Sequence, residues 1–209
     1  MALGTVGTIL FFLSVVAVTQ LSLRRVTRIV TDEPREPLRD LLHSVLPEWL
    51  SEYHEYVDWF PMLVIGLLAI LDRFVHAVEF IWLLGILFLL RVISYNLTIL
   101  PSPEKACKNQ WDHEPETYLR RVLNIMWQEG CGDLMFSGHT VCMVLGSLFI
   151  CKYCCVGNYL AYGTLIAYNI LGMVLIVGTR MHYSVDVFMA AVVTILVFVS
   201  KNNFFLSTQ

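Results

Sequence analysis

Residues 139–177 read HTVCMVLGSLFICKYCCVGNYLAYGTLIAYNILGMVLIV, and Lys152 is the single Lys, Arg, Asp or Glu among them. A helix that crosses a bilayer needs about 20 predominantly apolar residues. This stretch supplies two candidates in succession, His139–Val156 and Tyr159–Val177, joined by a few residues. The composition agrees. Across 209 residues the hydrophobic class reaches 57% and charged residues 15%, with a mean hydropathy of +0.66. Soluble domains carry about 25% charge, so the deficit points to a membrane protein. A net charge of −3 without a dense basic patch gives no footing to a nucleic-acid partner.

Outward from this stretch, four more segments come near the spanning length: Ala2–Leu21, Tyr56–Leu71, Val75–Leu100 and Tyr183–Val199. No basic region precedes Ala2–Leu21 and its apolar run is long, so it reads as a span rather than a signal peptide. The expected fold is all-α: a polytopic membrane protein, a six-transmembrane-helix bundle forming one domain over residues 1–209. Spans one and two are separated by a charged segment, about Ser22–Glu55, containing Arg24, Arg25, Arg28, Arg35 and Arg39. Within it Leu41, Leu42, Val45, Leu46, Trp49 and Leu50 recur near helical spacing, broken by Pro47. That pattern suits an amphipathic piece lying on the bilayer and equally a solvated loop with apolar anchors. Spans three and four are separated by the polar residues 101–138.

An even number of crossings puts both termini on one side. The two long loops and the turn between spans five and six then share the other side. CGDLMFSGHT at 131–140 and GTRMHYSVDV at 178–187 both fall at that second face. His182 and Asp186 are four apart, and positions i and i+4 stack on one helix face. Asp186 can accept a hydrogen bond from one imidazole nitrogen, fix the tautomer and stabilise the imidazolium. His139 opens the fourth span behind Ser137-Gly138, where backbone N–H groups of a helix start favour an anion and glycine permits close approach. Two histidines, an orienting aspartate and a glycine-containing turn fit phosphoryl-group transfer, one histidine attacking phosphorus and the other protonating the leaving alkoxide. Arg91 sits deep in the third span, costly without a partner, and is the first candidate for a substrate phosphate; Arg180 is the second.

Each residue also has a structural reading. A single His or Asp at a helix end is commonly interfacial, and HxxxD alone is a weak signal. Arg91 could pair with Glu79 or snorkel. No third and fourth ligand shows metal spacing beside His182 and Asp186. Of the six cysteines, Cys151-Lys-Tyr-Cys154-Cys155 contains a CxxC without a second half, more in keeping with packing or palmitoylation than with a metal. Asn96-Leu-Thr98 matches a glycosylation sequon at the end of a span, a poor place for its use.

Cys131-Gly-Asp-Leu-Met-Phe-Ser-Gly-His139-Thr140 together with His182-Tyr-Ser-Val-Asp186-Val187 resembles the sphingomyelin synthase family, a branch of the lipid phosphate phosphatase superfamily. Leu90-Arg91-Val-Ile, running on to Leu-Pro101-Ser-Pro103, is similar to the family's third-span motif. Glu36-Pro-Leu-Arg-Asp40 is loosely similar to its proline-containing motif after the first span. The resemblance implies that His182, oriented by Asp186, attacks the phosphodiester of a glycerophospholipid donor. Diacylglycerol leaves, protonated by His139, and a phospho-histidine keeps the head group. His139 then deprotonates the primary hydroxyl of ceramide, the acceptor. Asp133 is assigned to tuning His139 or binding a cationic head group, and no metal or dissociable cofactor is implied. The expected setting is a Golgi, endoplasmic reticulum or plasma membrane, with a homo-oligomer allowed.

Departures from the pattern are local. Arg180-Met181 stand where animal sphingomyelin synthases carry His-Glu, in which the chain is more like plant and protozoan inositol or mixed sphingolipid synthases. Ile176 stands where the wider superfamily has an arginine, and Arg91 is the candidate replacement. The resemblance places the site on the lumenal or extracellular side. The positive-inside rule gives the opposite answer: of the 14 Lys and Arg, Arg73, Lys152 and Lys201 alone fall on the face with the termini. Two rival functions remain: a lipid phosphatase or phospholipase C-type hydrolase using water as acceptor, and a non-catalytic ceramide sensor or scaffold.

Overall fold

The protein is described by a computed structural model over residues 4–33, 35–103 and 131–206. Among these residues every regular element is helical. Helix α1 spans Thr5–Asp32, and α2 is the short Leu41–Val45. A 3₁₀ turn over Glu48–Tyr53 leads into α3, His54–Val57, and α4, Trp59–Asp72. Helix α5 spans Ala77–Leu97, α6 Gly138–Phe149 with a π-helical extension over Ile150–Cys154, α7 Tyr159–Gly178 and α8 Ser184–Leu206.

The first helix runs on from its expected end at Leu21 to Asp32. Arginines do not stop a helix, and no Gly or Pro intervenes until Pro34, which disfavours helical geometry in the residue before it. The piece expected to lie on the bilayer forms two short helical turns broken at Pro47, the N-cap of the 3₁₀ turn. Leu41, Val45 and Trp49 on it are exposed, whereas Leu46 and Leu50 pack on Gly178 at the end of α7.

Four helices are long and apolar enough to cross a membrane: Thr5–Asp32, Ala77–Leu97, Tyr159–Gly178 and Ser184–Lys201. The protein is thus a multi-pass membrane protein. The other two expected spans are helical but shorter, Trp59–Asp72 and Gly138–Cys154. Burial accounts for the shortness of the second. Val141, Met143, Leu145 and Phe149 of α6 have no exposed surface, and α4, α5, α7 and α8 all pack against it. At about 1.5 Å per residue, its length answers to its protein neighbours rather than to the hydrocarbon thickness. Phe80, Leu87, Leu145, Phe149, Ala190 and Phe198 form the centre of the core. Two polar contacts tie helices together within it: Asn169 Nδ2 donates to Ser147 Oγ at 2.7 Å, and Tyr95 Oη donates to the Thr19 carbonyl at 3.2 Å.

The helices alternate in direction, and contacts at the two ends define two faces. At one face Glu79, at the start of α5, accepts from Tyr153 Oη at 2.9 Å and pairs with Lys201 near the end of α8. Cys151, Cys154 and Cys155 lie at this end, and their thiols are free. At the other face the starts of α4, α6 and α8 meet the ends of α1, α5 and α7, and the two polar motifs come together there.

Candidate active site

Asp186 is the hub of this face. Its side chain is fully buried, and its carboxylate holds three donors. Oδ2 accepts from His182 Nδ1 at 3.3 Å and from the Tyr183 N–H at 3.0 Å. Oδ1 accepts from the Met135 N–H at 2.9 Å, and the Asp186 carbonyl accepts from the Ser137 N–H at 3.3 Å. A helix start leaves N–H groups without intrahelical partners. Here Asp186 takes up one of them and reaches across to the turn at 131–137. The two motifs read separately in the sequence are joined through one side chain. His182 is 5% exposed, and Nδ1 toward Asp186 leaves Nε2 as the nitrogen available for bond formation.

The first motif builds the start of α6. Ser137 is its N-cap, with Oγ accepting from the Thr140 N–H at 3.4 Å. Gly138 lies directly over Arg91: a Cβ there would sit 2.7 Å from Arg91 Nη1. Glycine at this position is therefore a requirement of close approach, and it sets a guanidinium beneath the N-terminal turn of α6. Arg91 pairs with Asp133, both nearly buried, and not with Glu79, which is engaged at the opposite face. Arg91 Nε and Asp133 Oδ1 are buried with no hydrogen-bond partner among the described residues. Asp133 is thus placed against Arg91, while His139 has another carboxylate beside it.

That carboxylate is Asp58, at the junction of α3 and α4. His139 Nε2 donates to Asp58 Oδ1 at 2.7 Å. Sequence reasoning passed over Asp58, although an acid directly before the apolar run of a span is a visible signal. Arg180 does not reach the histidines in this structure. It has a left-handed φ of 62° at the end of α7, and its Nη2 donates to the carbonyls of His43 at 2.7 Å and Leu46 at 3.2 Å. With Arg39, His43, Glu48 and Glu52 it lines an open groove of about 890 Å³ beside the site. Cys131, the first residue of the first motif, is disulfide-bonded.

Residues 130–203 match the family described as PAP2 superfamily C-terminal. The chain is 32% identical over 131 residues to a phosphatidylethanolamine:ceramide ethanolaminephosphotransferase of Trypanosoma brucei brucei, covering 60% of this chain and 40% of that one. It is 28% identical over 178 residues to phosphatidylcholine:ceramide cholinephosphotransferase 2 of Mus musculus, covering 73% and 48%. It is 27% identical over 176 residues to phosphatidylcholine:ceramide cholinephosphotransferase 1 of Homo sapiens, covering 73% and 43%. The chain spans about half the length of the curated relatives it matches. The resemblance to the sphingomyelin synthase family is borne out.

Proposed function

We propose that this chain is a phosphosphingolipid synthase, moving a phospho-head group from a glycerophospholipid to the primary hydroxyl of ceramide. The observation that carries the reading is the buried His182–Asp186 pair, bonded through Asp186 to the turn that precedes His139. His182 Nε2 attacks phosphorus, and the phosphorus–oxygen bond to diacylglycerol breaks. His139 gives its proton to the leaving alkoxide, so diacylglycerol departs neutral. The head group stays on His182 as a phosphoramidate. His139, now a base, takes the proton of the ceramide hydroxyl, whose oxygen attacks phosphorus and releases His182. Asp186 stabilises the cationic imidazole in each half-reaction and holds the tautomer. Asp58 does the same for His139 from a more exposed position. Arg91 and the N–H groups at the start of α6 supply positive charge for the equatorial oxygens. Arg180 and the charged groove beside the site are the place for head-group selection, with Glu48 and Glu52 suited to a cationic amine. Relatives named for ethanolamine and for choline both support a phosphosphingolipid product.

The same reading includes six spans, with α4 and α6 as the two short ones. It includes a site facing an oxidising compartment, whether Golgi, endoplasmic reticulum or the outside of the plasma membrane. The disulfide at Cys131 on the site face and free thiols at the opposite face support this orientation, because disulfides persist in oxidising compartments. The deciding experiment supplies purified protein with labelled phosphatidylcholine, phosphatidylethanolamine or phosphatidylinositol, with and without ceramide. A labelled sphingolipid from at least one donor is expected. Label released in water without need of ceramide would replace transfer by hydrolysis, and no turnover with any donor would end both enzyme readings.

A further inference from the structure

The turn that carries His182 is gripped from outside by residues that take no part in the bond-making and bond-breaking steps. Asp40 Oδ2 accepts from the Ser184 N–H at 2.8 Å, and Oδ1 accepts from Ser184 Oγ at 2.6 Å and from the His43 N–H at 3.1 Å. Tyr183 Oη accepts from the Leu38 N–H at 3.0 Å and donates to the Pro101 carbonyl at 2.9 Å. His43 Nε2 donates to the His182 carbonyl itself at 3.1 Å. Arg180, from the same turn, reaches back to the carbonyls of His43 and Leu46. The two proline-containing stretches, Pro37–Asp40 and Pro101–Pro103, lie far apart in sequence. They meet on two consecutive residues, Tyr183 and Ser184, directly behind His182.

We propose that Asp40 is the positioning residue of the nucleophile turn, and that the two proline stretches form the frame that fixes Tyr183 and Ser184. This rests on the reading of His182 as the nucleophile. The physical case is one of orphan donors. The first N–H groups of α8 need acceptors, and a carboxylate at a helix start is favoured by the helix dipole. Asp186 serves the Tyr183 N–H from within the helix, and Asp40 serves the Ser184 N–H from outside it. With His43 holding the His182 carbonyl, the backbone that follows the nucleophile is pinned at three successive groups. The Nδ1–Asp186 contact that orients the ring depends on that backbone. Ser184 Oγ adds a second bond to the same carboxylate, so Asp40 reads both the main chain and the side chain of one residue.

The test uses the full chain in detergent or lipid nanodiscs, with Asp40→Asn, Ser184→Ala and Tyr183→Phe, and thermal unfolding as a check on folding. For Asp40→Asn we expect kcat to fall roughly 10²-fold, the effect of misplacing a reacting group by about 1 Å, with KM for donor and ceramide little changed. Ser184→Ala should fall less, and the double variant should be no worse than Asp40→Asn alone. A second readout needs no turnover: carbethoxylation of His182 by diethyl pyrocarbonate, followed by mass spectrometry. His182 is 5% exposed, and its modification should be several-fold faster in Asp40→Asn. Normal kcat and normal modification would overturn the proposal. So would a KM rise that accounts for the whole loss, since Asp40 would then act on substrate. If the wild type makes no product, the nucleophile reading fails, and the modification rate still decides whether Asp40 fixes His182. If Asp40→Asn does not fold, Tyr183→Phe takes its place in both readouts, with smaller shifts in the same direction expected.

Discussion

At the scale of single residues, two His–Asp pairs occupy one site in very different surroundings. Asp186 is fully buried and holds three donors, whereas the Asp58 side chain is 52% exposed. Charge pairs in water are screened and contribute about 0.2–1 kcal/mol. Asp58→Asn should therefore cost at most about fivefold in kcat, the equivalent of about 1 kcal/mol. Asp186→Asn removes an acceptor from His182 and presents an NH₂ group to donors. A comparable exchange in a serine-protease triad costs about 10⁴-fold in kcat, and a loss of that order is expected here. Steady-state rates of the two variants side by side test the contrast; equal losses would mean that exposure does not decide it. Asp40 and His43, which hold the backbone at the start of α8, predict a pH dependence of stability. Burial opposes ionisation of Asp40, but hydrogen bonds from the Ser184 hydroxyl and N–H and from the His43 N–H outweigh it, and its pKa lies below 3.8. Burial of the His43 ring lowers its pKa below 6.5; Asp40 and Asp186 act against the shift and Arg180 with it. The unfolded chain then takes up a proton at residue 43 that the folded chain resists. The His43 contribution is complete above pH 6.5 and is lost as pH falls toward the lowered value. The Asp40 contribution persists further and is lost only as pH falls from 3.8 through its own lowered value. Thermal unfolding between pH 7.5 and 5 should show a falling midpoint that His43→Gln flattens; an unchanged slope would rule His43 out as its source.

Among the elements, α6 is the one whose packing sets the site, because its first turn carries Ser137, Gly138 and His139. A Cβ on Gly146 would come within 2.5 Å of Val64 Cγ1 on α4. Overpacking a tight contact costs typically 1–3 kcal/mol. Gly146→Ala should lower the unfolding midpoint, and Val64→Ala in the same chain should recover part of the loss. If the pair of changes is merely additive, α4 is not what limits α6. The contact also shows what the sequence made legible. Hydropathy marked all six apolar segments, since lipid-facing and protein-facing residues are alike apolar. It could not rank them by burial, so α6 looked like any span although α4, α5, α7 and α8 all pack against it. The end of α1 was hidden because arginines inside a helix lower hydropathy without ending the helix. At the candidate site, the His182–Asp186 pair was readable from spacing, because i and i+4 fix a shared face, and His139 from its place at the start of an apolar run behind Ser137-Gly138. Partners that come from distant chain were not. Asp58 beside His139, Asp133 beside Arg91 and Asp40 beside Ser184 depend on how helix ends meet, which no local period encodes.

For the molecule as a whole, two physical signals bear on which way it sits in the membrane, and they oppose each other. The excess of arginine on the site face would place that face in the cytosol. The rule concerns charges held back in short loops during insertion, and several of these arginines have structural commitments. Arg91 is paired with Asp133 inside the bundle, Arg180 is bonded to two carbonyls, and Arg35 lies against Glu33. The cysteines speak the other way. Cys131 at the site face is disulfide-bonded, while Cys151, Cys154 and Cys155 at the opposite face are free. A disulfide persists where the compartment is oxidising, which favours a lumenal or extracellular site. Tags at the N-terminus and at the C-terminus, tested in separate chains in sealed microsomes, would measure both orientation and parity. With six spans and a lumenal site, protease added outside should remove either tag without detergent. Protection of both tags until detergent is added would put the site in the cytosol and make the arginine count the better guide. One tag removed and the other protected would mean an odd number of crossings, and α4 or α6 would then be a buried helix that does not span. In the same microsomes, Cys131→Ser in place of the wild-type chain should abolish the mobility shift between reduced and non-reduced gels; a shift that survives the substitution would remove the redox argument for that orientation.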